Sequence, residues 1–170
     1  ESGIYNGENV KIYTGEAYFL RGFNYLKLVS QYGGVPLKLT STLTSPEREF
    51  TRATAEATLA QVISDLTNAY NNLPEKASMT GKITKDAAAH FLAKAYLLRA
   101  SEINDDWNSG TKEKDLNEAL RVAQEVISHH SLAPNYSDLW NYTEPNGANE
   151  LLDEILLSAQ FSSDKSTLGA

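Results

Sequence analysis

Apolar residues recur every three or four positions in four stretches of this 170-residue chain. That spacing lines one side of an α-helix. The first stretch predicts a helix over residues 7–31. Steps of about 100° per residue put Tyr18, Gly22, Tyr25, Val29 and Tyr32 in one arc, flanked by Phe19, Phe23 and Leu26. Glu16, Arg21, Asn24, Lys27 and Gln31 fall opposite. Gly22 weakens the helix but lets another backbone approach closely. Gly33-Gly34 stop it. Residues 35–39 then read as a short extended segment, because Pro36 cannot sit inside a helix.

A polar stretch over residues 40–51 leads to a second helix, for which Thr54 is the side-chain cap. Leu59, Val62, Ile63, Leu66 and Tyr70 form its apolar row, and Leu73-Pro74 closes it. The third helix starts after Thr84 and reaches about residue 103. Its small residues Ala87, Ala88, Ala89, Ala93, Ala95 and Ala100, interleaved with Phe91, Leu92, Tyr96 and Leu98, suit tight helix–helix packing. The fourth begins at Asp115, with Glu118 completing a variant capping box. Leu116, Ala119, Leu120, Ala123, Val126 and Ile127 make its stripe, and His129 and His130 lie where a cation suits the helix dipole. After Pro134 the period is lost: residues 136–148 are loop-like, residues 154–161 lean to a strand, and residues 162–170 are a polar tail. The pairing of Phe19-Leu20-Arg21-Gly22-Phe23 with Phe91-Leu92-Ala93-Lys94-Ala95 predicts two stacked hairpins, spaced wider than the ~34 residues of a tetratricopeptide unit. The expected fold is therefore all-α: tetratricopeptide-like helical hairpins in one domain over residues 1–170, with Tyr18, Tyr25, Phe91 and Leu120 turned inward.

Composition narrows the function. Hydrophobic residues at 41% and charged ones at 22% support a packed core over disorder. A net charge of −7 argues against nucleic acid and against docking on anionic lipid. No cysteine is present, so disulfides and thiolate metal sites are excluded. No apolar run approaches the ~20 residues that span a bilayer. Residues 1–4 lack the basic start of a signal peptide, so the protein is either cytosolic or exported by a signal outside this chain.

Few residues carry candidate chemistry. Sugar binding without catalysis needs flat aromatic faces and short polar side chains. Trp107 with Asp105, Asp106 and Asn108 offers both, as does the group Tyr136, Trp140, Asn141 and Tyr142. The plainer alternative has Trp107 covering an inter-helix gap and Trp140 plugging the end of the core. Residues 106–110 resemble the start of a calcium loop, but the twelfth position is Asn117 where a bidentate Glu is needed. His90, His129 and His130 form no spaced ligand pair, so neither metal nor cofactor is expected. Asp65 and Asp86 read as helix-surface residues, and no nucleophile elbow, phosphate loop or dinucleotide fingerprint occurs. Tyr13, Tyr18, Tyr25 and Tyr32 read as core, their phenol oxygens reaching a helix margin or a backbone carbonyl. No catalytic residue is assigned, and a helical glycoside hydrolase ranks below the binding roles.

The run Gly15-Glu16-Ala17-Tyr18-Phe19-Leu20-Arg21-Gly22-Phe23, continuing through Tyr25 and Leu28-Val29 to Tyr32-Gly33-Gly34-Val35-Pro36-Leu37, resembles the SusD/RagB family. Further blocks match in order: Ile63-Ser64-Asp65-Leu66 with Leu73-Pro74, Gly81-Lys82-Ile83-Thr84-Lys85-Asp86-Ala87-Ala88 with Leu92-Ala93-Lys94-Ala95-Tyr96-Leu97, and Tyr136 with Leu139-Trp140. Asn149-Glu150 and Glu154-Ile155-Leu156 are similar to a later strand of the family. Gly22 departs from the family's usual alanine. The resemblance implies a chain roughly three times longer (a non-catalytic lipoprotein of the outer membrane's outer leaflet, whose lipid-bearing Cys is absent here). It implies an oligosaccharide or other nutrient as ligand and a SusC-like TonB-dependent transporter as partner. It also implies that most of the aromatic ligand arc comes from segments outside these residues. The competing expectation is a tetratricopeptide-type scaffold for protein–protein contact.

Overall fold

Four α-helices follow one another: α1 (Gly7–Tyr32), α2 (Ala55–Asn72), α3 (Lys85–Arg99) and α4 (Lys112–His129). Short 3-10 helices lie at Glu102–Asn104 and Tyr136–Trp140. The computed structural model describes residues 7–41, 43, 49–141, 149 and 152–159, and among these no strand occurs. The leaning to strand for residues 154–161 is therefore corrected over its described part. Residues 152–159 form an irregular segment, fastened by side chains instead of a ladder. Each helix packs mainly on the next, so α1–α2 and α3–α4 are hairpins stacked through α2 and α3.

Local chemistry fixes the helix ends. Thr54 Oγ1 accepts the Ala57 N–H at 3.1 Å and Thr84 Oγ1 accepts the Ala87 N–H at 3.2 Å, satisfying donors a helix leaves open. Gly33 ends α1 in the left-handed region, φ 68°, and gives its N–H to the Val29 carbonyl. A side chain on Gly34 would sit 1.9 Å from the Ala53 carbonyl oxygen, so only glycine lets the returning linker cross there. Arg52 donates to the carbonyls of Tyr32 and Gly34, tying that linker to the end of α1. The Tyr25 hydroxyl accepts the Lys38 N–H at 2.7 Å and donates to the Lys38 carbonyl at 3.4 Å, the second being the kind of partner expected for these phenols.

The core is the predicted one in α2 and α3. Leu59, Val62, Ile63 and Leu66 are buried, as are all six alanines of α3 and its end. Full burial of each leucine stabilises by about 2 kcal/mol. Phe19, Phe23 and Phe91 meet at 4.9–5.9 Å between centroids, joining α1 to α3. At Gly22 a Cβ would lie 3.0 Å from Leu66 and 3.1 Å from Asp65, so α1 and α2 touch almost backbone to side chain there.

Elsewhere the faces are rotated from expectation. On α1 the buried row is Gly15, Phe19, Gly22, Leu26 and Val29, while Tyr18 and Tyr25 are half-buried and Tyr13 and Tyr32 are exposed. On α4 the buried row is Asp115, Ala119, Val122 and Val126. Leu116, Leu120 and Ile127 face outward, so the inward expectation for Leu120 is corrected, whereas Phe91 packs against the core. α4 also starts at Lys112, and Asp115 is no cap but a fully buried partner of Arg99.

The two hairpins share one polar device. Arg21 Nε and Nη2 donate to the fully buried Asp65 carboxylate, each at 2.7 Å, with the guanidinium 5.4 Å over the Tyr18 ring. Arg99 does the same to Asp115, at 2.7 and 2.6 Å, and lies 6.0 Å from the Tyr96 ring centre. The internal repeat thus aligns Tyr18-Phe19-Leu20-Arg21 with Tyr96-Leu97-Leu98-Arg99, not Phe19 with Phe91. Asp65 is also corrected from surface to core: burial of a carboxylate is tolerated because a bidentate guanidinium matches it.

Candidate functional site

The α3–α4 turn holds the first group of candidate residues. Asn104 Nδ2 donates to the Leu98 carbonyl at 2.8 Å. Asn108 Nδ2 donates to the carbonyls of Arg99 at 2.9 Å and Ser101 at 3.0 Å, closing the open end of α3. The Asn108 carbonyl then accepts the N–H groups of Thr111 and Lys112, starting α4. Asn108 is 1% exposed, so both its amide hydrogens are committed inside the turn and none is left for a sugar hydroxyl. In this structure Asn108 serves the backbone of the turn. Trp107 packs against the core cluster, matching the gap-covering alternative, and Asp105 pairs with Lys112 at 2.5 Å on the surface.

The second group leaves the other end of α4. Eighteen residues separate the two groups along the helix, a length of about 27 Å at 1.5 Å per residue. Tyr136 and Trp140 sit on one 3-10 turn, 6.0 Å apart between centroids and tilted by 60°. The Asp138 N–H bonds the Asn135 carbonyl at 3.0 Å, and Asn149 Nδ2 donates to the Leu139 carbonyl at 3.3 Å, holding the turn. Tyr136 is 74% exposed and Trp140 56%, so Trp140 does not plug the core. Two neighbouring aromatic side chains thus lie in water, with Ser137 and Asp138 between them in sequence. Asn141 continues from that turn, and Tyr142 lies outside the described residues.

Sequence reading missed the polar contacts between helices. The Tyr70 hydroxyl donates to Glu125 at 2.6–2.8 Å, and Lys85 reaches the same carboxylate at 3.2 Å, linking α2, α3 and α4. The Tyr70 bond first, then Lys85, hold the Glu125 carboxyl below its ordinary 4.5. Asp86, read as a surface residue, is buried and faces both His129 and His130 at 3.1 Å. Asp65, Asp86 and Asp115, the buried carboxylates among the described residues, thus each meet a basic side chain. Helical spacing alone carried no sign of these partners, which are sixteen to fifty-five residues apart. A cleft of about 640 Å³ lies between Phe19 and Phe23 of α1, His90 and Phe91 of α3, and Leu156 and Leu157.

Residues 4–97 match a SusD-like family described as starch-binding and associating with the outer membrane. A curated relative, the SusD-like protein P2 of Formosa agariphila, is 27% identical over 95% of this chain and 31% of its own length. A SusD superfamily protein from Bacteroides fragilis, 24% identical, shares the fold with a TM-score of 0.77 over 97% of this chain and 33% of its own. A structure solved with a xylogluco-oligosaccharide superposes with a TM-score of 0.75 at 29% identity, over 90% of this chain and 30% of its own. The chain therefore spans about a third of the length of the relatives it matches. With the matched residues making up more than half of it and the stacked hairpins repeated in these structures, the chain belongs to the SusD-like family.

Proposed function

We propose that this chain is the helical scaffold of a non-catalytic, glycan-binding protein at the outer membrane, which hands oligosaccharides to a SusC-like TonB-dependent transporter. The family match over residues 4–97 carries the reading. The parent polypeptide is held on the outer leaflet by a lipid anchor, and the scaffold takes no part in bond breaking. Support for a binding role without chemistry comes from the buried carboxylates, each engaged by a basic side chain. A glycosidase needs a pair of carboxyls free to face the sugar. Tyr136 and Trp140 supply one stacking platform for a pyranose ring. Trp107 and Asp105 on the far turn contribute at most at their exposed edges, and segments beyond these residues complete the site.

Calorimetry of the full-length parent against a panel of soluble oligosaccharides tests this reading. We expect micromolar to millimolar affinity, and a loss of about tenfold on Trp140→Ala, the scale of one lost aromatic contact. Because Trp140 is 56% exposed, its truncation leaves folding stability within about 0.5 kcal/mol. A parent that binds no glycan would sink the proposal, and unchanged binding in Trp140→Ala would remove the platform from it. Copurification with a TonB-dependent transporter tests the handover. The outward row Leu116, Leu120 and Ile127 supports a second reading, a scaffold for protein contact. Recovery of a cytosolic partner in place of a transporter would favour that one.

A further inference from the structure

His130, the first residue beyond α4, joins three parts of the molecule. Its Nε2 lies 3.1 Å from the Asp86 carboxylate, in the first turn of α3. Its Nδ1 lies 2.8 Å from the Asp153 carbonyl oxygen and 3.1 Å from the Asp153 carboxylate. All these oxygens only accept hydrogen bonds, and a neutral imidazole has a single N–H. Both sides of the ring are satisfied together only by the doubly protonated form. The charged groups facing it are Asp86 from α3, Asp153 from residues 152–159, and the neighbouring His129, whose Nδ1 shares Asp86 at 3.1 Å. Lys85, next to Asp86, is engaged by Glu125.

Residues 152–159 are fastened at this corner by side-chain bonds. Asp153 accepts the Ser131 N–H at 2.7 Å and its hydroxyl at 2.9 Å, and Glu154 accepts the Ala133 N–H at 2.7 Å. Beyond these anchors, Leu156 and Leu157 pack at the edge of the core and wall the apolar cleft with Phe19, Phe23 and Phe91. We propose that His130 is a pH-dependent latch: charged, it clamps residues 152–159 over that cleft, and neutral, it lets the segment loosen. Burial alone would lower the His130 pKa, but its bonds to Asp86 and Asp153 outweigh that and hold it above the ordinary 6.5. The Ser131 bonds keep the Asp153 carboxyl below its ordinary 3.8, so it stays an anion throughout. The clamp is therefore complete below pH 6.5 and lost as pH rises through the higher folded value.

Hydrogen exchange on the full chain at pH 5.5 and 8.5, corrected for intrinsic rates, reads the latch. The reporter is the Ile155 amide, bonded to the Leu152 carbonyl at 2.9 Å. Its protection should fall about tenfold at the higher pH for each unit by which the folded pKa is raised. His130→Gln, which cannot be charged, should show the loosened level at both values. Asp153→Asn, altering an exposed carboxylate, should move the His130 ring titration downward by NMR without unfolding the chain. Equal protection at both pH values in the wild-type chain, the same pH response in His130→Gln, or an unmoved titration in Asp153→Asn would each overturn the latch.

Discussion

Replacing Asp65 with alanine removes the acceptor at the centre of the α1–α2 hairpin. Asp65 is fully buried and takes three side-chain hydrogen bonds: two from Arg21 at 2.7 Å and one from Gln61 at 2.8 Å. Breaking one side of a buried ion pair costs about 3–5 kcal/mol. Arg21 keeps 31% of its side chain in water, so its guanidinium regains part of its hydration when the partner goes. That discount puts the expected loss near the lower end, about 3 kcal/mol. For a chain of this size it corresponds to roughly 6–12 °C in Tm. Urea unfolding followed by far-UV circular dichroism measures it, provided the slope m matches wild type. Asp65→Asn keeps the shape and one oxygen, and should lose less. Combining Arg21→Met with Asp65→Leu removes both charges and should return to within about 1 kcal/mol of wild type, because neither group is left unpaired. A loss below about 1 kcal/mol in Asp65→Ala, or a double variant no better than the single one, would refute the clamp.

Gly22→Val should destabilise by about 1–3 kcal/mol, read by the same urea titration, because even its first carbon would sit 3.0 Å from Leu66. A neutral outcome would mean that α1 and α2 are not in close contact there. The lowered pKa of Glu125 means its contribution is present above pH 4.5 and lost as pH falls through the lower folded value. Tyr70→Phe removes the largest cause of that shift, so the Glu125 carboxyl should titrate nearer 4.5 by NMR, and an unchanged titration would contradict the assigned bond.

Thr54, Thr84 and Gly33 announce helix ends because capping chemistry is local. The apolar rows of α2 and α3 also read correctly, since their other faces are polar or carry only half-covered residues. On α4 two rows obey the same spacing: Asp115, Ala119, Val122 and Val126, and, one residue later, Leu116, Leu120, Ala123 and Ile127. Periodicity cannot choose between them, and Leu116, Leu120 and Ile127 of the more hydrophobic row are left outside, with Ala123 at the edge of the core. A lone Asp in a helix looks like surface until its arginine is known. The candidate platform was half legible: Trp140 and Tyr136 stood out as sugar-binding types, but whether they pointed inward could not be read.

By itself, the sequence determined four helices, their order, most of their ends and the family they belong to. Those properties depend on residues within a turn or two, or on an ordered set of motifs. Only the tertiary structure decided which face of α4 is buried, that Asp65, Asp86 and Asp115 face basic partners, and that Asn108 closes a turn. It also decided that His130 joins α3 to the segment after α4. Each of these is settled by which side chain arrives from another helix, and that is fixed by packing rather than by neighbours along the chain.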